Sequence, residues 1–363
     1  MLTIIVEPPC QLVAEGKALR LEQDGNLIRR VPFYQIDCLM IRGKVQLCAN
    51  VLRQSAAHAI PVLITASRAG TDAAWVTPGQ QPSVMLRIAQ HRILAKSELT
   101  LELSRRVVQA KLNGYRLALR VPQTRSTENR FRQGFESRLA RSEALLLTAT
   151  DTNVIRGIEG HVARAWFNFL GQQLFAHWEF KGRNRQPPKD PVNALLSFTY
   201  TLIQADVRGA LQLRGFDSDI GFLHTPSPAR ASLVLDVLEP LRPLADCLVL
   251  DLCQTSLHPK QFNRQRGGAC RLGKEARQIY FGALTKWRQG IMEALERPFG
   301  RNLWPQTPLP DTIVSLADLC RHLAHHLSIA VLSQSQTDEE AMPAAFADSD
   351  ASEEQKRTTR VQS

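Results

Sequence analysis

The sequence predicts an α+β protein: a small N-terminal β-rich domain over residues 1–79, a larger all-helical C-terminal domain over residues 80–333, and a disordered acidic tail over 334–363. Three observations predict it. Short runs of β-branched and aliphatic residues, separated by turn signals, fill the first stretch. From Ser83 onward apolar residues recur at three- and four-residue spacings. From about Gln334 the chain is rich in Ser, Asp, Glu and Ala and poor in apolar residues.

The strands of the first domain are expected at Leu2–Val6, Ala18–Glu22, Cys38–Ile41 and Pro61–Thr65, with turns at Asp24-Gly25-Asn26 and Arg42-Gly43-Lys44. Arg53 to Ala59 reads as one short helix, and Gly70 to Pro82 as the linker to the second domain. Val84, Leu86 and Ile88 open an amphipathic stretch that Leu99, Leu103, Val107, Ala110 and Leu117 continue. Thr152 is placed to cap a helix through Ile155, Ile158, Val162, Trp166 and Phe169, with Glu159 on the flank of its apolar stripe. Gly157 and Gly160 in that helix each cost about 1 kcal/mol relative to Ala, which points to close approach of another backbone or a substrate. Leu195 to Leu213 reads as a buried apolar helix stopped at Arg214-Gly215. A short extended segment, Ile220 to His224, precedes a Thr-Pro-Ser-Pro loop, and Ser232 is placed to cap the next helix.

Composition narrows the function classes. A hydrophobic fraction of 44% with 22% charged residues suits a soluble globular chain, and no stretch reads as a membrane segment. The N-terminus lacks a basic flank and a cleavage site, which predicts a cytoplasmic protein. Seven cysteines without a C-x-x-C pair indicate neither a disulfide framework nor a structural zinc site. The net charge is +11, and the last thirty residues hold seven acids against three bases, so the folded part is more basic still. That favours a polyanionic partner, nucleic acid above all. Arg87, Arg92, Lys96, Arg105, Arg106, Lys111, Arg116 and Arg120 stud the helices after Ser83, where they can track phosphates or simply face solvent. No Gly-rich phosphate loop and no G-x-S-x-G elbow is present.

The densest chemistry lies between Pro191 and Pro243. His224 closes an apolar run, and Asp236 and Glu239, spaced i, i+3, put two carboxylates on one helix face beside Leu235, Val237 and Leu238. Carboxylates beside a core are paired or bound to metal, and one imidazole with carboxylates suits Mg²⁺ or Mn²⁺. Arginine pairing, through Arg230 or Arg242, is the plainer alternative. Arg183, Arg185 and Lys189, in a proline-punctuated loop, and Arg271 and Lys274 further on, suit contact with a DNA backbone. His322 and His326 are spaced i, i+4, but without a nearby acid or cysteine a helix-surface or C-terminal dipole role is preferred to metal binding.

Four stretches, Gly157-Ile158-Glu159-Gly160, the run from Arg183 to Leu196, Gly221-Phe222-Leu223-His224 and the run from Ser232 to Pro243, occur in the order found in CRISPR-associated protein one, the integrase of CRISPR spacer acquisition, and the chain resembles that family from its N-terminus to about residue 330. The resemblance implies a metal site of Glu159, His224 and Glu239, with Asp236 as a further ligand or as a group behind them. Arg242, in the fourth motif, is a further candidate for DNA contact. Where many relatives have aspartate this chain has Glu239, and Trp166 and Ser197 also depart from the family pattern without touching the proposed ligands. By the same resemblance the larger domain is a metal-dependent DNA endonuclease and strand transferase. It would insert spacer DNA into the CRISPR array by attack of a 3′-hydroxyl on a repeat phosphodiester. The partners implied are double-stranded DNA, a second copy of the chain meeting through the β-rich domain, and a small ferredoxin-like CRISPR subunit. Two other readings fit the residues: a general metal-dependent repair or recombination nuclease, and a nonenzymatic DNA-binding scaffold whose acids are ion-paired, as Asp236 with Arg230.

Overall fold

Two small sheets, packed through alternating apolar side chains, build the N-terminal part. The structure, a computed structural model, describes residues 2–6, 8–58, 60–65, 73–76, 84–120, 129–184, 187–265, 267–295, 303–305 and 315–336. The first part runs β1 (Leu2–Val6), β2 (Cys10–Glu15), β3 (Ala18–Gln23), β4 (Asn26–Pro32), β5 (Ile36–Arg42), β6 (Gln46–Leu47), α1 (Ala49–Ala57), β7 (Val62–Thr65) and β8 (Ala73–Val76). One sheet has the order β1-β5-β7-β8, with β1, β5 and β7 parallel and β8 antiparallel to β7. The other has the order β4-β3-β2-β6, a three-stranded meander with β6 added parallel to β2.

The two-residue period of a strand decides what each face of the first sheet covers. Leu39, Ile41 and Val62 face a core shared with Leu12, Leu19, Phe33 and Val51, whereas Cys38, Met40 and Leu63 join the core of the helices. The boundary near residue 79 is therefore a boundary along the chain but not between cores. The stretch expected to be a linker holds β8, because Ala73–Val76 can complete the ladder of β7. The helix expected at Arg53 begins at Ala49.

The helical part runs α2 (Val84–Leu94), α3 (Ser97–Arg120), α4 (Asn129–Thr148), α5 (Thr152–Gln173), α6 (Pro191–Arg214), α7 (Ser232–Leu238), α8 (Arg242–Thr255), β9 (Phe262–Arg264), β10 (Cys270–Leu272), α9 (Lys274–Leu295) and α10 (Leu316–Gln336). It is not wholly helical, since β9 and β10 pair as an antiparallel hairpin. Asp151, not Thr152, caps α5, accepting from the N–H groups of Asn153 at 2.7 Å and Val154 at 3.1 Å. Asp190 caps α6 at 2.8 Å with Pro191 in the first turn, and α6 stops at Gly215 as expected. Helix α10 continues to Gln336, and the remainder of the expected acidic tail lies outside the described residues. His322, His325 and His326 sit in the middle of α10, away from its C-terminal dipole, and burial pushes His322 down to about 4. All seven cysteines are free thiols, five of them buried. Among the described residues no helix is long and apolar enough to cross a membrane.

Candidate active site

Four segments far apart in sequence bring their polar side chains to one place: α3, α5, the loop before α7, and the single 3-10 turn Glu239–Leu241 between α7 and α8. The closeness of α3 to that turn depends on Gly114. A Cβ there would collide with the carbonyl oxygen of Pro240 and stand 3.4 Å from the Pro243 ring. One turn before Gly114, Lys111 is buried against the same surface, its side chain 5% exposed. Its ammonium donates to Glu239 Oε2 at 2.5 Å and to Glu159 Oε1 of α5. Glu239 is as buried as Lys111, and its other oxygen accepts from Arg242 Nε at 2.8 Å. Arg242 in turn lies over the Tyr200 ring, 4.5 Å from its centroid.

These contacts fix the charges. Burial alone would favour a neutral Glu239, but Arg242 and Lys111 beside it hold its carboxyl well below the usual range. Burial likewise opposes a charged Lys111, and the Glu239 and Glu159 carboxylates overcome it and raise its pKa. The centre is two carboxylates bridged by one ammonium, with a guanidinium at its side.

His224 approaches from the opposite edge. Its Nε2 stands 3.9 Å from Glu239 Oε1, beyond hydrogen-bond reach. Asp236, fully buried on α7, positions it. One oxygen of Asp236 accepts from the N–H groups of Phe222 at 2.6 Å and Leu223 at 3.0 Å; the other accepts from His224 N at 2.9 Å and faces His224 Nδ1 at 2.7 Å. An ionised carboxylate only accepts, so Nδ1 donates to Asp236 and Nε2 is the ring nitrogen turned toward Glu239. The loop therefore wraps Asp236 rather than running extended as the sequence suggested. Gly221 permits the wrap, since a Cβ would stand 2.7 Å from the backbone carbon of Ser232 and 2.8 Å from the His224 carbonyl oxygen. Gln90 of α2 pins the start of the loop, donating to the carbonyls of Asp217 at 2.9 Å and Ile220 at 2.7 Å. Ser232 does not cap α7; its hydroxyl donates to the Thr225 carbonyl.

Of the residues expected at a metal site, Glu159 and Glu239 meet through Lys111, and His224 faces Glu239. Asp236 stands behind His224, with both oxygens taken. It is not ion-paired with Arg230, which bonds instead to the Thr225 carbonyl and Ser232. Among the described residues no three His, Cys, Asp or Glu side chains stand close enough together to hold a metal ion as they are. Glu159 and Glu239 flank the Lys111 ammonium instead of closing on one point with His224. Two carboxylates already sharing a cation, with an imidazole lone pair at their edge, nonetheless suit a hard divalent cation in chemistry.

The basic residues divide. Arg183 is turned inward, donating to Asn193 Oδ1 at 2.8 Å and Ser197 Oγ at 3.0 Å, so it stiffens the entry to α6. Arg242 is likewise occupied by Glu239 and Tyr200. Lys189 and Lys274 are exposed and Arg271 is half-buried. The Cys270 N–H donates to the Pro188 carbonyl at 2.7 Å, which sets the loop carrying Lys189 beside the strand carrying Arg271. Arg185 lies outside the described residues. A Cβ at Gly157 or Gly160 would meet nothing within 4 Å, so among the described residues no other element's backbone approaches there.

Sequence reasoning missed Lys111 as part of the site and treated it as one of many phosphate-tracking cations. A signal was present: Lys111 continues the stripe Leu103, Val107, Tyr115 at four-residue steps, so it is a charge on the buried face of α3. It also missed Asp246, which accepts from Trp166 Nε1 at 2.9 Å and from the Tyr200 hydroxyl beneath Arg242.

The architecture is that of a class with solved members. The fold matches a Cas1 protein from Thermotoga maritima with a TM-score of 0.72 at 17% identity, covering 94% of this chain and 99% of that one. It matches a casposase bound to its integration product with a TM-score of 0.68 at 19% identity, covering 96% and 97%. A β-rich unit carrying a helical lobe is thus a fold this chain shares with both structures. The chain belongs to the family of CRISPR associated protein Cas1, whose model matches residues 3–286. A relative from Chlorobaculum tepidum, CRISPR-associated endonuclease Cas1 1, is 32% identical over 296 residues, covering 79% of this chain and 85% of that one.

Proposed function

We propose that the chain is the integrase of CRISPR spacer acquisition, joining a spacer precursor to the CRISPR repeat through attack of a 3′-hydroxyl on a repeat phosphodiester. The observation that carries this reading is that Lys111 brings Glu159 and Glu239 together while the Nε2 edge of His224 faces Glu239, in a Cas1-family chain. These three residues would hold Mg²⁺ or Mn²⁺. When bound, the divalent cation supplies Lewis acidity at a phosphoryl oxygen and offsets charge on the leaving oxygen.

The chain's own residues do the rest. Asp236 holds the proton on Nδ1 and so keeps Nε2 available to a ligand. Arg242, stacked on Tyr200, fixes the rotamer of Glu239. Lys189, Arg271 and Lys274 offer a basic surface for the DNA backbone, at which water as the nucleophile gives endonuclease cleavage and a 3′-hydroxyl gives strand transfer. The working assembly is a homodimer in the cytoplasm, joined through the β-rich part and acting with the small ferredoxin-like CRISPR subunit.

The test is incubation of the purified protein with a labelled 3′-OH duplex and a repeat-bearing plasmid, with and without Mn²⁺ and the small subunit. Covalent joining at the repeat boundary that needs metal, and that is lost in Glu159→Gln and His224→Ala, is expected. Cleavage without joining would favour a general nuclease, and binding without any covalent change would favour a scaffold.

A further inference from the structure

The Lys111 ammonium is the feature that the proposed chemistry leaves unused. It is buried, it is shared by two carboxylates from different elements, and it takes one oxygen from each, Glu239 Oε2 and Glu159 Oε1. Arg242 is anchored separately, by Tyr200 and by the second Glu239 oxygen. Lys111 and Arg242 together already balance the two glutamates. A divalent cation entering beside an unmoved Lys111 would add two positive charges next to the Lys111 ammonium and the Arg242 guanidinium in a buried place, which the desolvation of charge disfavours. If the ammonium leaves, one of those charges goes and the oxygens become available. Its stem is flexible, and Glu159, whose side chain is 23% exposed, marks a way out to solvent.

We propose that Lys111 is an exchangeable counter-ion: it holds Glu159 and Glu239 together in the metal-free protein, yields its place to the divalent cation, and so sets the metal concentration at which the site fills. This rests on the reading of Glu159, His224 and Glu239 as the metal site. Lys111 acts as a positioning residue before metal arrives and as the metal's competitor as it arrives.

The experiment is a titration of full-length wild type, Lys111→Met, Lys111→Arg and Glu159→Gln with Mn²⁺ in the absence of DNA. Free Mn²⁺ is followed by electron paramagnetic resonance, and each protein is melted with and without metal. Lys111→Met is expected to bind one Mn²⁺ about tenfold tighter than wild type or better, to melt lower without metal, and to gain more from Mn²⁺. Lys111→Arg, which keeps a cation in place, gains no affinity, and Glu159→Gln loses the site. Should Lys111→Met fail to fold, Lys111→Gln removes the charge while retaining a donor to the carboxylates and carries the same expectation. Equal Mn²⁺ affinity in wild type and the neutral variants overturns the counter-ion role and leaves the metal site standing. No Mn²⁺ binding in any of them overturns both.

Discussion

Two buried aspartates behind the site show how differently one residue type is used. Asp236 accepts from three successive backbone N–H groups and the His224 ring, whereas Asp246 has two side-chain donors, Tyr200 and Trp166, in apolar surroundings. That is too little to offset burial, which pushes Asp246 up to about 6 against the donors and the nearby arginines. A raised carboxyl pKa means that the folded state binds the proton more tightly than the unfolded one. Asp246 therefore favours folding below about 4 and loses that contribution as pH rises through about 6. The window is worth about 3 kcal/mol at most. Urea unfolding of wild type and Asp246→Asn at pH 7 and pH 4.5 should show wild type gaining on the variant at the lower pH; a difference that does not change with pH would mean that Asp246 titrates normally. At this scale the acids and the imidazole were legible, because Glu159, His224, Asp236 and Glu239 stand in ordered motifs. Their division of labour was not, since only the wrapped loop shows that Asp236 spends both oxygens on residues 222–224.

Elements carry the site through close approach. Helix α3 passes the Pro240 carbonyl at Gly114, one turn from Lys111, and a backbone oxygen in a closed turn has nowhere to go. Gly→Ala inside a helix gains about 1 kcal/mol in propensity, and overpacking costs about 1–3 kcal/mol, so the packing term wins at Gly114. At Gly134 of α4, where a Cβ would meet nothing within 4 Å, the propensity term stands alone. Chemical denaturation should find Gly114→Ala less stable by about 1–2 kcal/mol and Gly134→Ala more stable by about 1 kcal/mol, with the proposed strand transfer reduced only in the former. A harmless Gly114→Ala would show that α3 can shift without disturbing Lys111. Helix periodicity made α3, α5 and α6 readable, as did the Gly215 stop. Short strands such as β8 and the β9/β10 hairpin stayed hidden because three or four residues give no period to read, and their pairing partners are distant or separated by a loop.

At the scale of the molecule, the sheet β1-β5-β7-β8 is a wall with a core on each side. Leu39 and Ile41 point into the β-rich part, and Cys38 and Met40, their neighbours in the same strand, point into the helical part together with Leu63, which pairs with Met40. Composition drew the boundary near residue 79 because the chain changes from strand to helix there, but a two-residue period lets one strand serve both sides. Parts joined by a shared apolar wall unfold together, since losing either one exposes the sheet face that the other covers. Calorimetry of the full chain should therefore give one cooperative transition. Met40→Asp, which places a carboxylate in the helical core from within a β-strand, should lower that one transition by about 4 kcal/mol or more. Two separable transitions, with only the β-rich part affected by Met40→Asp, would mean that the helical lobe holding Lys111, Glu159, His224 and Glu239 is stable without the wall. In the structure α6 lies against β5, so a charge at Met40 is expected to disturb the packing beneath the site.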